Sequence, residues 1–501
     1  MSEGNSYGQI LRSSSIMGGA QAINYVIGLI RVKAVAVLLG PAGVGIIGLY
    51  TSATNVLGTV TEVGLRGSSV RCIAEANGRG DTLAVARTTR MLRRLCWATG
   101  VLGWLASAAL AIPLSQWMFK STEHAWALGV LGGMLLLNAI NGGQLGLLQG
   151  IRRIGDIARV QVASTIVNTA ITVALYAWLH QRGIVPVMLL NAAVSLSMSW
   201  WFARRVRVVP VCMGWKTAVA EAKPLLGLGV AMMWAGVLGL LVDLVTRGLI
   251  SRHLGVDAAG IYQAAWALSG TFAGFVLSAM GYDFYPRLTA VIRDHAAAAR
   301  EVNEQTEIGI LLALPGLLII LALAKWVIWA LYSAKFAAAA NVLAWMVLGM
   351  FGRVVSWPLG YIQLAAGAGS WFMVTEATSL ALEVAFVIWF VPRFGVVGAA
   401  YAFALSYALY TPAMMWVGRR LIGFRWSAVV WRIVSVSAVL IVLALAANQL
   451  LPEVPATAIG CVVAVLGSLW CLRGLAKRLD KDHRLVRWMK HVPGSRYLLG
   501  V

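Results

Sequence analysis

The sequence predicts an all-α polytopic membrane protein of about 14 transmembrane helices, built as two six-helix lobes in parallel repeat plus a C-terminal helix pair. Three observations carry this expectation. Of 501 residues, 60% are apolar and only 12% charged, against about 25% charged in an ordinary soluble domain. Apolar runs recur along the whole chain, each near the roughly 20 residues that cross a hydrocarbon core about 30 Å thick. A turn motif also returns at a fixed offset, so the helices come in two similar sets.

The runs lie at about 13–38, 44–65, 96–118, 125–149, 160–180, 184–203, 225–250, 260–282, 307–331, 337–364, 371–391, 395–417, 430–450 and 456–472. The first is longer than the apolar core of a signal peptide, follows a weakly charged start and contains Arg31 and Lys33, so it is expected to remain as helix 1. Charge sets the orientation. The chain has 41 Lys and Arg against 19 Asp and Glu, a formal charge of +22, and such residues are retained on the cytoplasmic side. With the N-terminus inside, 31 of the 41 fall in cytoplasmic segments, while Lys120, Arg182, Arg252, Lys335 and Arg393 are the five in the opposite loops. Both termini are expected in the cytoplasm, and the basic excess requires no nucleic acid partner.

The repeat sets the domain limits. Leu39-Gly40-Pro41-Ala42-Gly43-Val44-Gly45-Ile46 matches Leu254-Gly255-Val256-Asp257-Ala258-Ala259-Gly260-Ile261 at an offset of 215, and Arg182-Gly183 resembles Arg393-Phe394-Gly395 at an offset near 212. The expected division is an N-terminal lobe at 1–210, a C-terminal lobe at 211–422, a helix pair at 423–472 and a basic cytoplasmic tail at 473–501. Parallel repeats of this kind occur in carriers whose halves rock about a shared cleft. The longest inside loops are expected at 66–95 and 283–306, too short for a folded soluble domain. The tail has Leu475, Leu479, Val486 and Met489 at helical spacing among lysines and arginines, which suits a helix on anionic membrane lipids; a solvated basic tail is the plainer alternative.

Several motifs carry no chemistry. Gly43-Val44-Gly45-Ile46-Ile47-Gly48 satisfies the spacing of a dinucleotide loop but lacks the preceding strand, so it reads as a turn and packing motif. Gly129, Gly133, Gly142, Gly146 and Gly150 form small-residue stripes for close helix contact. No GxxxxGK[ST] is present. Six scattered histidines and five distant cysteines give no metal site or disulfide framework, so neither a cofactor nor a metal is expected. The outside loops are too short and too poor in carboxylate and histidine for a glycosyl-type transferase site.

What remains are ionisable residues inside spans, which are costly in lipid and therefore face an interior or a wet cavity. Arg31, Lys33, Arg247 and Arg353 are the cations; Glu62, Asp243, Glu376 and Glu383 are the anions. Subtracting 215 from Arg247 gives position 32, between Arg31 and Lys33, so the first helix of each lobe puts positive charge at a corresponding depth. The four cations are candidates to hold a phosphate or pyrophosphate, where arginine gives bidentate contacts. Internal pairing of Asp243 with Arg247 at i, i+4 is the alternative, and Lys325 is a weaker candidate that can snorkel. The four carboxylates are candidates for ion coupling, or for balancing the arginines. Glu376 and Glu383 share a helix face at i, i+7.

With Arg31, the turn at 39–45 and Val63-Gly64-Leu65-Arg66-Gly67 in place, the sequence resembles the oligosaccharide flippase branch (Wzx-type translocases) of the multidrug/oligosaccharidyl-lipid/polysaccharide exporter superfamily, over nearly its whole length. That branch commonly has an acidic residue where Ala42 stands. The resemblance implies a V-shaped pair of six-helix lobes and alternating access. It also implies a substrate, a polyprenyl-pyrophosphate-linked oligosaccharide moved from the cytoplasmic to the periplasmic leaflet of a bacterial inner membrane, with a polysaccharide polymerase and export machinery as further partners. A peptidoglycan-precursor or drug exporter of the same superfamily is the alternative, and a membrane-embedded transferase a more distant one.

Overall fold

A backbone group left unpaired in hydrocarbon costs several kcal/mol, a penalty that a helix avoids within one segment. Among the described residues (4–62, 65–206, 208–211 and 214–478 of the computed structural model) no strand is present. In chain order the helices are α1 (Gly4–Glu62), α2 (Leu65–Gly78), α3 (Thr82–Phe119), α4 (Ala125–Gly150), α5 (Ile154–Leu179), α6 (Ile184–Ala203), α7 (Trp215–Leu254), α8 (Val256–Val291), α9 (His295–Ala322) and α10 (Ala324–Leu331). They continue with α11 (Ala339–Ala365), α12 (Gly369–Phe394), α13 (Val396–Ile422), α14 (Ala428–Leu450) and α15 (Glu453–Ala476). Among the described residues ten helical stretches are long and apolar enough to cross a membrane, and two of them, Met17–Glu62 and Ile154–Ala203, have 46 and 50 residues, about twice what one crossing needs. The chain is thus a multi-pass membrane protein.

Two expected loops are helical instead. Residues 66–95 form most of α2 and the start of α3, and 283–306 form the end of α8 and the start of α9 across a short turn. Counting apolar residues finds only the lipid-immersed part of a helix, whereas the hydrogen-bond ladder continues into the polar phase wherever a cap ends it further on. Asp81 caps α3 by accepting from Ala84 N at 2.8 Å, and Asp294 caps α9 by accepting from Ala296 N and Ala297 N at 3.0 and 3.1 Å. The expected tail helix beyond Arg478 lies outside the described residues.

The repeat is written in the backbone. Gly40 (φ 66°, ψ −170°) and Gly255 (φ 90°, ψ 170°) share one conformation, as do His180 (φ 48°, ψ −130°) and Gly395 (φ 65°, ψ −149°). Arg152 and Gly367 also share positive φ, at 59° and 70°. All three pairs are 215 residues apart, which corrects the offset near 212 read from the second sequence match. Matching glycine to glycine there misaligned the copies, because the first copy places a histidine where the second has Gly395. A non-glycine residue at such φ is strained by about 1–3 kcal/mol. His180→Gly is accordingly expected to raise the melting temperature measured in detergent, an effect of roughly 1 kcal/mol once glycine's greater freedom in the unfolded chain is subtracted.

Two compact units emerge, one of Met1–Gly260 with Leu331–Ser333, the other of Ile261–Ala330 with Ala334–Val501. The compact boundary lies later than the repeat-based limit at 210/211, because α7 packs on α1, α2 and α3. In unit 1, α3 lies along α4, α4 on α6 and α1 on α5. The α4 stripe makes its contacts at its far end, where Gly146 lies against Leu92 and Val70 and Gly150 abuts Ile73; Gly129, by contrast, faces open space. The two turn motifs of the repeat pack on one another: a Cβ on Gly45 would meet Val256 O and Gly260 N, and a Cβ on Gly260 would meet Pro41 O and Gly45 N. In unit 2, α11 is the central helix, with 72% of its spanning window buried against 11% for α12, and Leu314, Leu317, Leu318 and Leu321 of α9 complete its core.

Candidate functional site

Within unit 2, three helices enclose a cavity of about 230 Å³. From α11 come Arg353, Ser356, Trp357, Gly360 and Tyr361, from α12 Glu376, Ser379 and Glu383, and from α13 Tyr407 and Tyr410. Helical spacing explains the set: 353, 356/357, 360/361 form one stripe of α11, and 376, 379/380, 383 one stripe of α12. The α12 stripe is held in register by Thr375, which donates to Gln363 Oε1 on α11 at 3.0 Å, while Gln363 Nε2 reaches the sulfur of Met414 on α13 at 3.3 Å. Tyr410 Oη donates to Glu376 Oε1 at 2.5 Å. Arg353 is exposed toward this space, and Glu376 and Glu383 are half-buried. Three of the eight candidate ionisable residues thus meet in one cavity, including the two glutamates expected to share a face.

One guanidinium among two carboxylates makes the cavity formally −1 when both are ionised, neutral when one is protonated and +1 when both are. That is the chemistry of an anion site whose occupancy is linked to protons: the guanidinium presents a fork of donors to phosphate oxygens, and each ionised carboxylate competes with the phosphate for it.

The other five of the eight fall in unit 1. Glu62 ends α1 and lines a second polar cavity of about 160 Å³ with Thr54, Asn55, Thr59, Thr99 and Asn138, a set of hard oxygen atoms suited to a proton or an alkali cation. Arg247 is buried; it pairs with Asp243 at 3.0 Å and donates to Ser52 Oγ on α1 at 2.9 Å. This is the internal pairing left open by the i, i+4 spacing, and it fastens α7 to α1. Lys33 donates to the carbonyl of Tyr332 at 2.6 Å, Arg31 is half-buried on the same helix, and Lys325 reaches Glu453 at 3.2 Å on an exposed surface. Arg31, Lys33 and Arg247 thus belong to unit 1 and Arg353 to unit 2. At the head of α4, His124 bonds to Tyr50 at 2.7 Å and stacks on Phe119; burial pushes its imidazole below the ordinary value, which keeps it neutral in that bond.

Tyr407 and Tyr410 escaped the sequence reading. Their spacing of three puts them on one face of α13, but only the packing of α12 on α13 shows that a glutamate lies opposite.

The profile of the family described as polysaccharide biosynthesis protein matches residues 34–341. The lipid III flippase of Escherichia coli (strain K12) is 23% identical over 387 residues, covering 76% of this chain and 92% of that protein. A candidate O-antigen transporter of Shigella flexneri is 22% identical over 401 residues, covering 76% and 91%. Among solved structures, the lipid II flippase MurJ in an inward closed conformation aligns with a TM-score of 0.66 at 12% identity, over 93% of this chain and 99% of that one. An inward-facing multidrug resistance transporter of the MOP superfamily aligns with a TM-score of 0.65 at 15% identity, over 80% and 94%. At those identities the solved structures show the fold alone, which is that of MOP-superfamily transporters. The profile match covers more than half of the sequence: the chain belongs to the polysaccharide biosynthesis protein family and is one of its Wzx-type members.

Proposed function

We propose that this protein is a flippase for a polyprenyl-pyrophosphate-linked oligosaccharide, carrying it from the cytoplasmic to the periplasmic leaflet of a bacterial inner membrane with both termini in the cytoplasm. The observation that carries the reading is the Arg353 cavity, a guanidinium and two carboxylates inside the helical body of a chain from this family. An anionic head group fits such a site at Arg353 once both carboxylates are protonated, the +1 state in which a cationic drug is repelled. The relatives named as a lipid III flippase and an O-antigen transporter support a sugar-bearing lipid. Fourteen spans in two repeated lobes, 1–210 and 211–422, followed by the pair at 423–472, supply the alternating access, and a polymerase with its export machinery consumes the product.

In this reading Arg31 and Lys33 serve a second phosphate contact in the N-terminal lobe, and Glu62 a coupling role there, parallel to Glu376. Depleting the protein in its own host tests the proposal: lipid-linked repeat units should accumulate on the inner leaflet and surface polymer should fall. Arg31→Ala should restore polymer only weakly. Unchanged polymer in the depleted cells would contradict the reading.

A further inference from the structure

The helices that close the two repeat copies, α6 and α13, end in the same pattern. Residues 195–206 and 410–421 correspond at the offset of 215, and they agree at only three positions, Trp201/Trp416, Arg204/Arg419 and Arg205/Arg420. The geometry repeats with them. Arg205 lies over the ring of Trp201 at 5.6 Å and Arg420 over that of Trp416 at 5.4 Å, both within cation–π range. Each copy also has a second indole, drawn from a different place. Trp200 precedes Trp201 and lies 5.0 Å from the guanidinium of Arg204, whereas Trp371 of α12 meets Trp416 edge-on at 5.9 Å. All four tryptophans are 42–51% exposed, and all four arginines are exposed.

We propose that each of these clusters is a station for the head group of an anionic phospholipid. The flippase reading supplies only the leaflet, since its topology puts both helix ends on the cytoplasmic side. Elsewhere the chain engages such arginines internally: Arg393, over Trp389 at 4.8 Å, donates to the Trp389 carbonyl at 2.8 Å, and Arg478 pairs with Glu307. Among the described residues Arg204, Arg205, Arg419 and Arg420 make neither a hydrogen bond nor an ion pair. Two neighbouring guanidinium groups without a counter-charge are complementary to a phosphodiester, which accepts from the fork of each. A zwitterionic head group fits less well, because its ammonium lies beside the same cations. The rings set the depth. Indoles settle at the head-group level of a bilayer, and a guanidinium stacked on one is held there. On unit 2 the surface bearing Trp371 and Trp416 faces acyl chains, since only 11% of the α12 spanning window is buried. A carrier lipid has one pyrophosphate, whereas the stations are two, one in each unit, which suits a bulk lipid.

The test uses the full-length protein in phosphatidylethanolamine vesicles with a trace of phosphatidylglycerol that carries a diazirine near the carbonyl of one acyl chain. Saturable labelling is expected in residues 195–206 and 410–421. Unlabelled phosphatidylglycerol should displace it about twentyfold more effectively than phosphatidylcholine, since each arginine at an anionic surface is worth about fivefold. Arg204→Gln/Arg205→Gln should remove the first label and spare the second, and Arg419→Gln/Arg420→Gln the reverse. Trp201→Leu, which keeps both charges, should lower the first about threefold. Arg293→Gln/Arg300→Gln removes as much charge from exposed positions around the turn between α8 and α9 and should change neither. Equal loss in that control would mean diffuse surface charge alone and overturn the stations. So would displacement by a polyprenyl phosphate but not by phosphatidylglycerol, which gives the arginines to the substrate. No saturable label at either helix in protein that still flips its substrate overturns the stations and leaves the flippase reading standing, whereas label without flipping removes that reading and leaves the stations.

Discussion

Arg353→Ala should weaken binding of a polyprenyl pyrophosphate roughly 30-fold and abolish transport while the protein remains inserted and folded. Arg353 is exposed toward the cavity it shares with Glu376 and Glu383, so removing it opens no void in the packed core, and Glu376 keeps the hydrogen bond from Tyr410. The lost charge-assisted contacts amount to about 2 kcal/mol, near the middle of the range for hydrogen bonds to ionised groups. Arg353→Lys should recover part of the affinity, since an ammonium keeps the charge and loses the fork. The carboxylates supply the opposite arm. Two unit charges about 4 Å apart at an effective dielectric constant of 20 interact by about 4 kcal/mol, so each ionised glutamate of the cavity opposes a phosphate at Arg353 on the scale of a few kcal/mol at most. Wild-type binding should therefore tighten as pH falls and protons neutralise the pair. In Glu376→Gln/Glu383→Gln it should be tight at every pH, with transport lost because release no longer follows deprotonation. Isothermal titration with polyprenyl pyrophosphate between pH 5 and 8 reads both arms; a double variant that keeps the wild-type pH dependence would remove the carboxylates from the cycle.

Gly260→Val should be the most disruptive single substitution in unit 1. Its Cβ would enter the space of Pro41 O, Pro41 C and Gly45 N, all backbone atoms that no rotamer change can move. Overpacking of this kind costs typically 1–3 kcal/mol and occasionally more, and the γ-methyl groups of valine add to it. Gly45→Ala meets the same seam from the other side, at Val256 O and Gly260 N. Gly45→Ala and Gly260→Ala should therefore be non-additive in a double-mutant cycle of thermal stability, since once the seam is forced apart the second Cβ finds room. Gly129→Ala, facing open space, is the control and should be neutral. Strict additivity at 45 and 260 would mean that the two motifs do not share one contact.

The sequence was most legible where the physics is one-dimensional. Hydrocarbon thickness sets span length, so the helical class and the positions of most spans could be read from apolar runs. The i, i+7 spacing of Glu376 and Glu383 placed them on one face because helical periodicity needs no tertiary information. Features that depend on which helix lies beside which could not be read. The pairing of Arg247 with Asp243 was open at i, i+4, but its bond to Ser52 on another helix could not be read from the sequence. Tyr410 gave no signal because its role depends on Glu376, 34 residues away on another helix. The second repeat match slipped because identity was sought at glycine, while the structure preserves a backbone conformation and lets His180 bear the strain.

Transport of a lipid-linked oligosaccharide is read out by a flipping assay in proteoliposomes. Purified protein is reconstituted with a fluorescent polyprenyl-pyrophosphate oligosaccharide, and a membrane-impermeant quencher reports the fraction on each leaflet as a pH gradient is imposed. The flippase reading predicts protein-dependent, gradient-dependent transfer that both Arg353→Ala and Glu376→Gln/Glu383→Gln eliminate. Transfer no faster than in protein-free vesicles, or equal transfer by wild type and Arg353→Ala, would contradict it.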